Sequence, residues 1–199
     1  SLIPGMEKVS NSILASAGIM AMAVGLASQE ALSNIVGGLF IIFSRPFKVG
    51  DFIQVDNVIV GTVKEITLRH TVIQNAENRM ILIPNNKINS STIVNSSYGE
   101  TTTCSFIEVG VSYTTDLGHA IDVMRDEIMK HPMLIDHRTD EEKANNMPQV
   151  VIRVINLGDS AITLRAWAWA STTGNAFAMK CDLLRAIKER FDVEKIEIP

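Results

Sequence analysis

Residues 9–29 read VSNSILASAGIMAMAVGLASQ and carry no charged side chain. Lys8 and Glu30 bracket the run. An α-helix rises about 1.5 Å per residue, and roughly 20 residues cross the hydrocarbon core of a bilayer. The run is therefore long enough to span a membrane. A secretory signal would be shorter and followed by a cleavage site. Here a second uncharged stretch, Ala31 to Ser44, follows at once and ends at Arg45.

The composition of the run says more than its length. It is rich in Ala, Gly, Ser and Met, where a lone lipid-facing span would be bulkier. Ala17, Ala21 and Gly25 recur at a spacing of four, and Gly18 lies on a neighbouring face. Small residues let helix backbones approach closely in a membrane, so this helix expects other helices around it, copies of itself first. A bulkier stripe, Ala15, Ile19, Met22 and Leu26, is spaced four, three and four and shares one face. That stripe reads either as bundle core or as the lining of a narrow pore, where Leu and Met side chains block ions by dewetting.

Ser28-Gln29-Glu30 follows the run. A carboxylate between two apolar stretches is costly in lipid, so a helix break is expected there. Residues 31–43 then read as a second, amphipathic helix, with Leu32, Ile35, Leu39 and Ile42 on one face and Gly37-Gly38 permitting close packing. Arg45-Pro46 ends it, since proline cannot continue a helix. Arg45 and Lys48 place positive charge just after the apolar region, which puts the rest of the chain on the cytoplasmic side.

The remainder changes character twice. Residues 47–98 read as β structure, with strands at Val58 to Val60, Val63 to Ile66, Leu68 to Ile73 and Met80 to Ile83. Turn signals at Gly50-Asp51, Asp56-Asn57, Gly61 and Asn75 to Asn78 separate them, and Pro84-Asn85-Asn86 stops the last. Beyond residue 101 a strand at 106–113 precedes a helix at 117–130 capped by Asp116. A polar loop follows at 132–148, then strands at 149–155 and 161–169. A second helix begins at Gly174 with Phe177, Cys181, Leu184, Ile187 and Phe191 inward, and a short strand is expected at 196–198. The order β-α-β-β-α-β is the ferredoxin-like pattern. The expected domains are 1–46, 47–100 and 101–199.

Bulk properties exclude several classes. The chain has 199 residues, 46% of them hydrophobic, and a net charge of −4. An acidic chain is poorly suited to nucleic acid, and none is expected as a partner. Trp167 and Trp169 share a strand face with Thr163 and Arg165, a pattern that serves base stacking or subunit packing, and the charge favours packing. His70, His119, His131 and His137 have no ligand spacing, and Cys104 and Cys181 read as reduced, partly buried thiols. No metal or cofactor is expected. No nucleophile elbow, phosphate loop or zinc-protease motif occurs, so the chain reads as a non-enzyme.

Two further stretches carry a resemblance. Gly25 to Asn34 reads GLASQEALSN and leads to Arg45-Pro46-Phe47-Lys48-Val49-Gly50-Asp51; later comes Ile83-Pro84-Asn85-Asn86-Lys87-Ile88. In this order they resemble the small-conductance mechanosensitive channel family, MscS. The resemblance implies a pore-lining helix with a kink, an Sm-like β domain and a ferredoxin-like α/β domain around a vestibule. It implies a homo-heptamer in the inner membrane, multi-pass in full length, opening under tension to pass ions and small solutes, with membrane lipid as its other partner. The pore constriction falls on Met22 and Leu26, with Ala15 and Ile19 lining the pore and Ala17, Gly18, Ala21 and Gly25 packing the helices. The kink falls at Gln29 and Glu30, with Glu30 in place of the family's glycine. Helices before Ser1 and a strand after Pro199 are expected in a longer protein. The runner-up reading is a membrane-anchored Sm-like scaffold or RNA-binding module that does not conduct.

Overall fold

A computed structural model describes residues 6–199. It divides into two compact units, residues 1–98 and 99–199.

The first unit opens with one helix, α1 (Met6–Ser44), of 39 residues. The helix does not break at Ser28-Gln29-Glu30, and the second helix expected at 31–43 is its continuation. The reason is local. Ser, Gln and Glu all tolerate helical geometry, and no proline occurs until Pro46. The Asn34 side-chain amide donates to the Glu30 carbonyl one turn back, at 2.9 Å. α1 ends where Arg45 adopts a left-handed φ of 48° while its N–H still donates to the Ile41 carbonyl at 2.9 Å.

Five antiparallel strands follow: β1 (Phe52–Val55), β2 (Ile59–Ile66), β3 (His70–Gln74), β4 (Met80–Pro84) and β5 (Ile93–Asn95), in the sheet order β4-β3-β2-β1-β5. This is the small β domain expected from the sequence. A short helix, α2 (Asn85–Ser90), links β4 to β5. Three details differ from the reading of the sequence. β1 went unrecognised, although Ile53 and Val55 alternate inward. Residues 59–60 and 63–66 belong to one strand, with Val58 in the turn before it, because Gly61 is not a turn but a point of close approach. A Cβ there would meet the Gln74 carbonyl oxygen at 2.2 Å. Pro84-Asn85-Asn86 starts α2 rather than a loop. The core of this unit is Phe47, Ile53, Val55, Val63, Ile73, Ile83 and Ile88, together with Ile41 from α1.

The second unit contains β6 (Thr103–Val111), α3 (Leu117–Met129), α4 (Asp140–Ala144), β7 (Val151–Leu157), β8 (Ile162–Ala170) and α5 (Thr173–Val193). Its sheet order is β6-β8-β7, all antiparallel. Asp116 caps α3 as expected, accepting from the N–H groups of Gly118 and His119. The polar loop holds α4, which Thr139 and Glu142 start with a reciprocal capping box. Residues 196–198 form no strand, yet the Ser112 N–H at the end of β6 donates to the Glu197 carbonyl at 3.0 Å. The segment therefore lies beside the open edge of β6, where a fourth ferredoxin-like strand belongs.

The inward face of α5 is Ala176, Met179, Leu183, Ile187 and Phe191. Phe177, Cys181 and Leu184 are exposed instead. Both stripes have helical spacing, and the tie is broken by the sheet, whose facing residues Ala166, Ala168 and Ala170 on β8 leave room for Met179 and Leu183. Burial of Met179 or Leu183 contributes about 1.5–3 kcal/mol.

Candidate functional site

Val9–Ser44 is long and apolar enough to cross a membrane, and up to Ser33 it is exposed among the described residues. The helical backbone brings Ala15, Ile19, Met22 and Leu26 within roughly 60° of arc on one face. Ile19, Met22 and Leu26 are 71%, 68% and 68% exposed, which would be untenable for a helix in water. Gly18 and Gly25 lie about a quarter turn away, Ala21 and Ala17 lie farther round on the same side, and a Cβ added at Gly18 or Gly25 meets nothing within 4 Å. This small-residue face is thus unpartnered among the described residues of one chain.

Sequence reading missed the opposite flank. Ser12, Ser16, Ala23 and Ala27 lie on the other side of the Met22–Leu26 stripe, at roughly 60–120° on the helical wheel. The Ser16 hydroxyl donates to the Ser12 carbonyl at 2.8 Å, so it needs no outside partner. A helix with a bulky stripe between two small flanks has the surface required of one stave in a ring. The signal was available: the two serines and two alanines fall at spacings of four, seven and four.

The last third of α1 is gripped by the β domain. Asn34, Gly37, Gly38 and Ile41 are its buried residues. Asn34 accepts from the Asn86 N–H at 3.1 Å, and the Asn89 amide donates to the Gly37 carbonyl at 2.9 Å. A Cβ on Gly38 would lie 2.5 Å from the Leu68 carbonyl oxygen and 2.6 Å from Asn85 Nδ2. The glycine pair is therefore a contact surface. Asn85 is fully buried and fully satisfied: it receives the Thr71 hydroxyl at 3.0 Å, donates to the Thr67 carbonyl at 2.8 Å, and its N–H donates to the Arg69 carbonyl at 3.0 Å. That network explains the Pro-Asn-x-x-Ile motif physically.

The Arg-Pro-Phe-x-x-Gly-Asp motif is the corner between α1 and β1. Phe47 plugs the core, and Gly50 takes a φ of 98°. The buried Asp51 carboxylate accepts from the Lys48 N–H at 3.1 Å and from the Asn95 amide at 2.8 Å. The other face of this part of α1, including Leu32, Phe40 and Phe43, is exposed and apolar, as an interfacial helix requires.

In the second unit, the sheet face turned away from the helices carries Thr163, Arg165, Trp167 and Trp169, as the strand alternation implied. Arg165 is engaged by Glu108, with Nε 2.7 Å from the carboxylate, and lies over Phe106 at 4.8 Å. Trp169 is stacked by His137 at 3.8 Å. The Arg138 guanidinium holds the Asp136 carboxyl well below the usual carboxylate range. Cys104 is half-buried, which pushes its thiol up to about 11, while Cys181 is exposed. The histidines lie apart: His119 is near Glu194 at 3.5 Å, His131 near Asp182 at 3.7 Å and His137 near Glu100 at 3.6 Å. Among the described residues no cluster of three His, Cys, Asp or Glu is placed to hold a metal.

Comparison with known proteins agrees with this geometry. Residues 30–98 match the family model described as the mechanosensitive ion channel β domain, and residues 107–198 match that of the mechanosensitive ion channel MscS C-terminal region. An uncharacterised MscS family protein of Archaeoglobus fulgidus is 30% identical over the whole chain, which spans 66% of that protein. A small-conductance mechanosensitive channel of Helicobacter pylori is 31% identical over 94% of the chain, which spans 64% of it. The chain thus covers about two thirds of these relatives. The crystal structure of Helicobacter pylori MscS in its closed state superposes with a TM-score of 0.81 at 28% identity, over 94% of this chain and 70% of that one. The domain matches, the relatives and the shared fold together show that the chain belongs to the MscS family of mechanosensitive channels.

Proposed function

We propose that the chain is one subunit of a tension-gated channel that releases ions and small solutes during hypo-osmotic shock. The observation that carries this reading is α1 itself: an exposed apolar helix with a Met22–Leu26 stripe between two small-residue flanks, anchored at its far end to the β domain. In this reading several copies, seven by family resemblance, place Ala15, Ile19, Met22 and Leu26 toward a common axis. Met22 and Leu26 close it by dewetting. Ala17, Gly18, Ala21 and Gly25 slide against the neighbouring helix. Gln29 and Glu30, helical in this structure, are the place where α1 bends as the channel changes state. Tension favours the wider assembly because it occupies more membrane area. Residues after Arg45 lie in the cytoplasm of a cell whose inner membrane holds the protein, with further helices of a longer protein in contact with lipid.

A non-conducting RNA-binding role is less well supported, because Arg165 and Trp169, the side chains suited to stacking bases, are already engaged by Glu108 and His137. Patch-clamp recording of the full-length protein in liposomes under stepwise suction tests the proposal. Discrete openings above a pressure threshold are expected. Silence up to membrane rupture, with insertion and oligomerisation demonstrated, would overturn it.

A further inference from the structure

One cavity of the first unit joins the pore helix to the sheet. It has a volume of ≈ 260 Å³ and is lined by Glu30 and Asn34 from α1, Arg69 and His70 at the start of β3, and Leu82 and Pro84 from β4. Its ionisable lining consists of one carboxylate from the helix and a guanidinium and an imidazole from the sheet. Glu30 is the first charge after the long uncharged run. Among the described residues it makes no ion pair in this conformation. Across the cavity, His70 Nδ1 is buried and has no hydrogen-bond partner. Buried polar atoms without partners are rare in native structures, and each needs an explanation.

We propose that Glu30 and Arg69 form a closable ion pair, with His70 beneath it, that latches the pore helix to the β domain one turn before the Asn34 contact. Both platforms are already fixed. The turn carrying Arg69 is pinned by its carbonyl, which accepts from Asn85 N–H at 3.0 Å, and α1 is pinned by the Asn34–Asn86 bond at 3.1 Å. Both side chains line the same cavity and are long and rotatable, and the latch requires them to meet by rotamer change. A charge-assisted hydrogen bond sheltered from water is stronger than one on an open surface. The carboxylate would also give His70 the partner it lacks. Closing the pair extends the gripped part of α1 toward the membrane by one turn and so stiffens the join between pore and sheet.

What the latch does to opening rests on the channel reading; whether it forms does not. The first arm of the test therefore reads proximity. Full-length protein with Cys104→Ser and Cys181→Ser receives Glu30→Cys together with Arg69→Cys, and is treated in liposomes with a short bifunctional thiol reagent. A control pair combines Leu32→Cys, on the opposite face of α1, with Arg69→Cys. Cross-linking within one chain is expected about tenfold faster for the first pair, because proximity raises effective concentration. Equal rates, or products joining two chains only, would overturn the latch. The second arm records opening thresholds for Glu30→Gln, Arg69→Gln and the double variant. Each single change is expected to shift the threshold and the double to shift it no further, whereas additive shifts sink the coupling. If the unmodified protein conducts at no pressure, the channel reading fails and the cross-linking still decides the latch.

Discussion

The side-chain oxygen of Asn34, deep in the last third of α1, accepts a hydrogen bond from the backbone N–H of Asn86 at the start of α2, 52 residues later. The same side chain donates to the Glu30 carbonyl, so one buried amide ties α1 to itself and to the β domain. Replacing Asn34 with Leu leaves a poorly solvated N–H on Asn86. The expected loss is about 1–3 kcal/mol of stability. Chemical denaturation in detergent measures it, and an unchanged midpoint would count against the tie.

Glycines on the two halves of α1 should respond in opposite ways to alanine. At Gly38 the new methyl has no room, and overpacking costs about 1–3 kcal/mol or more. At Gly25 the single chain offers no obstacle, and alanine favours the helix by about 1 kcal/mol. Gly38→Ala is expected to lower the melting temperature of the β domain. Gly25→Ala should leave that melting intact and alter only helix association and gating. Circular dichroism melts beside cross-linked oligomer sizes would separate the two.

Polarity at the stripe should control the pore. Replacing Leu26 with Ser hydrates the constriction and lowers the opening pressure, and the same change at Met22 acts in the same direction. Suction thresholds report the effect. A Leu26→Ser channel with the parent threshold would remove Leu26 from the gate.

The two thiols should label at different rates. With Cys104 at about 11, roughly one molecule in a thousand is thiolate there at pH 8. Burial disfavours the charged form, so the thiolate fraction grows about tenfold per pH unit until the pH reaches that value. Mass spectrometry after brief alkylation at pH 8 should find Cys181 modified well before Cys104, with Cys104 catching up as the pH rises. Equal labelling at pH 8 would contradict the half-buried setting of Cys104.

Much of this molecule was legible in the sequence because its signals are local. An uncharged run of small residues, an Asp N-cap before α3 and alternating β8 residues each declare themselves within one element. What stayed hidden depended on partners distant in the chain. Gly61 looks like a turn until Gln74 is placed against it. Leu184 and Leu183 have equal claim to face inward until the alanines of β8 choose. Gln29-Glu30 reads as a break because the charge is weighed against lipid, whereas the backbone there has no residue that refuses a helix. For the candidate site, the stripe of Met22 and Leu26 was visible, but the grip of Asn85, Asn86 and Asn89 on α1 was not. Polar side chains carry no periodicity that announces their partners.

While α1 is unbroken, as in this conformation, it acts as a lever held near Asn34. Displacement along such a lever grows in proportion to distance from the point where it is held. Leu26 lies about 12 Å beyond Asn34 and Met22 about 18 Å, at 1.5 Å per residue. A tilt of about 10° would move Leu26 by about 2 Å and Met22 by about 3 Å on such a helix. A small change of angle at the β domain is thus magnified toward the start of α1, and Met22 travels farther than Leu26.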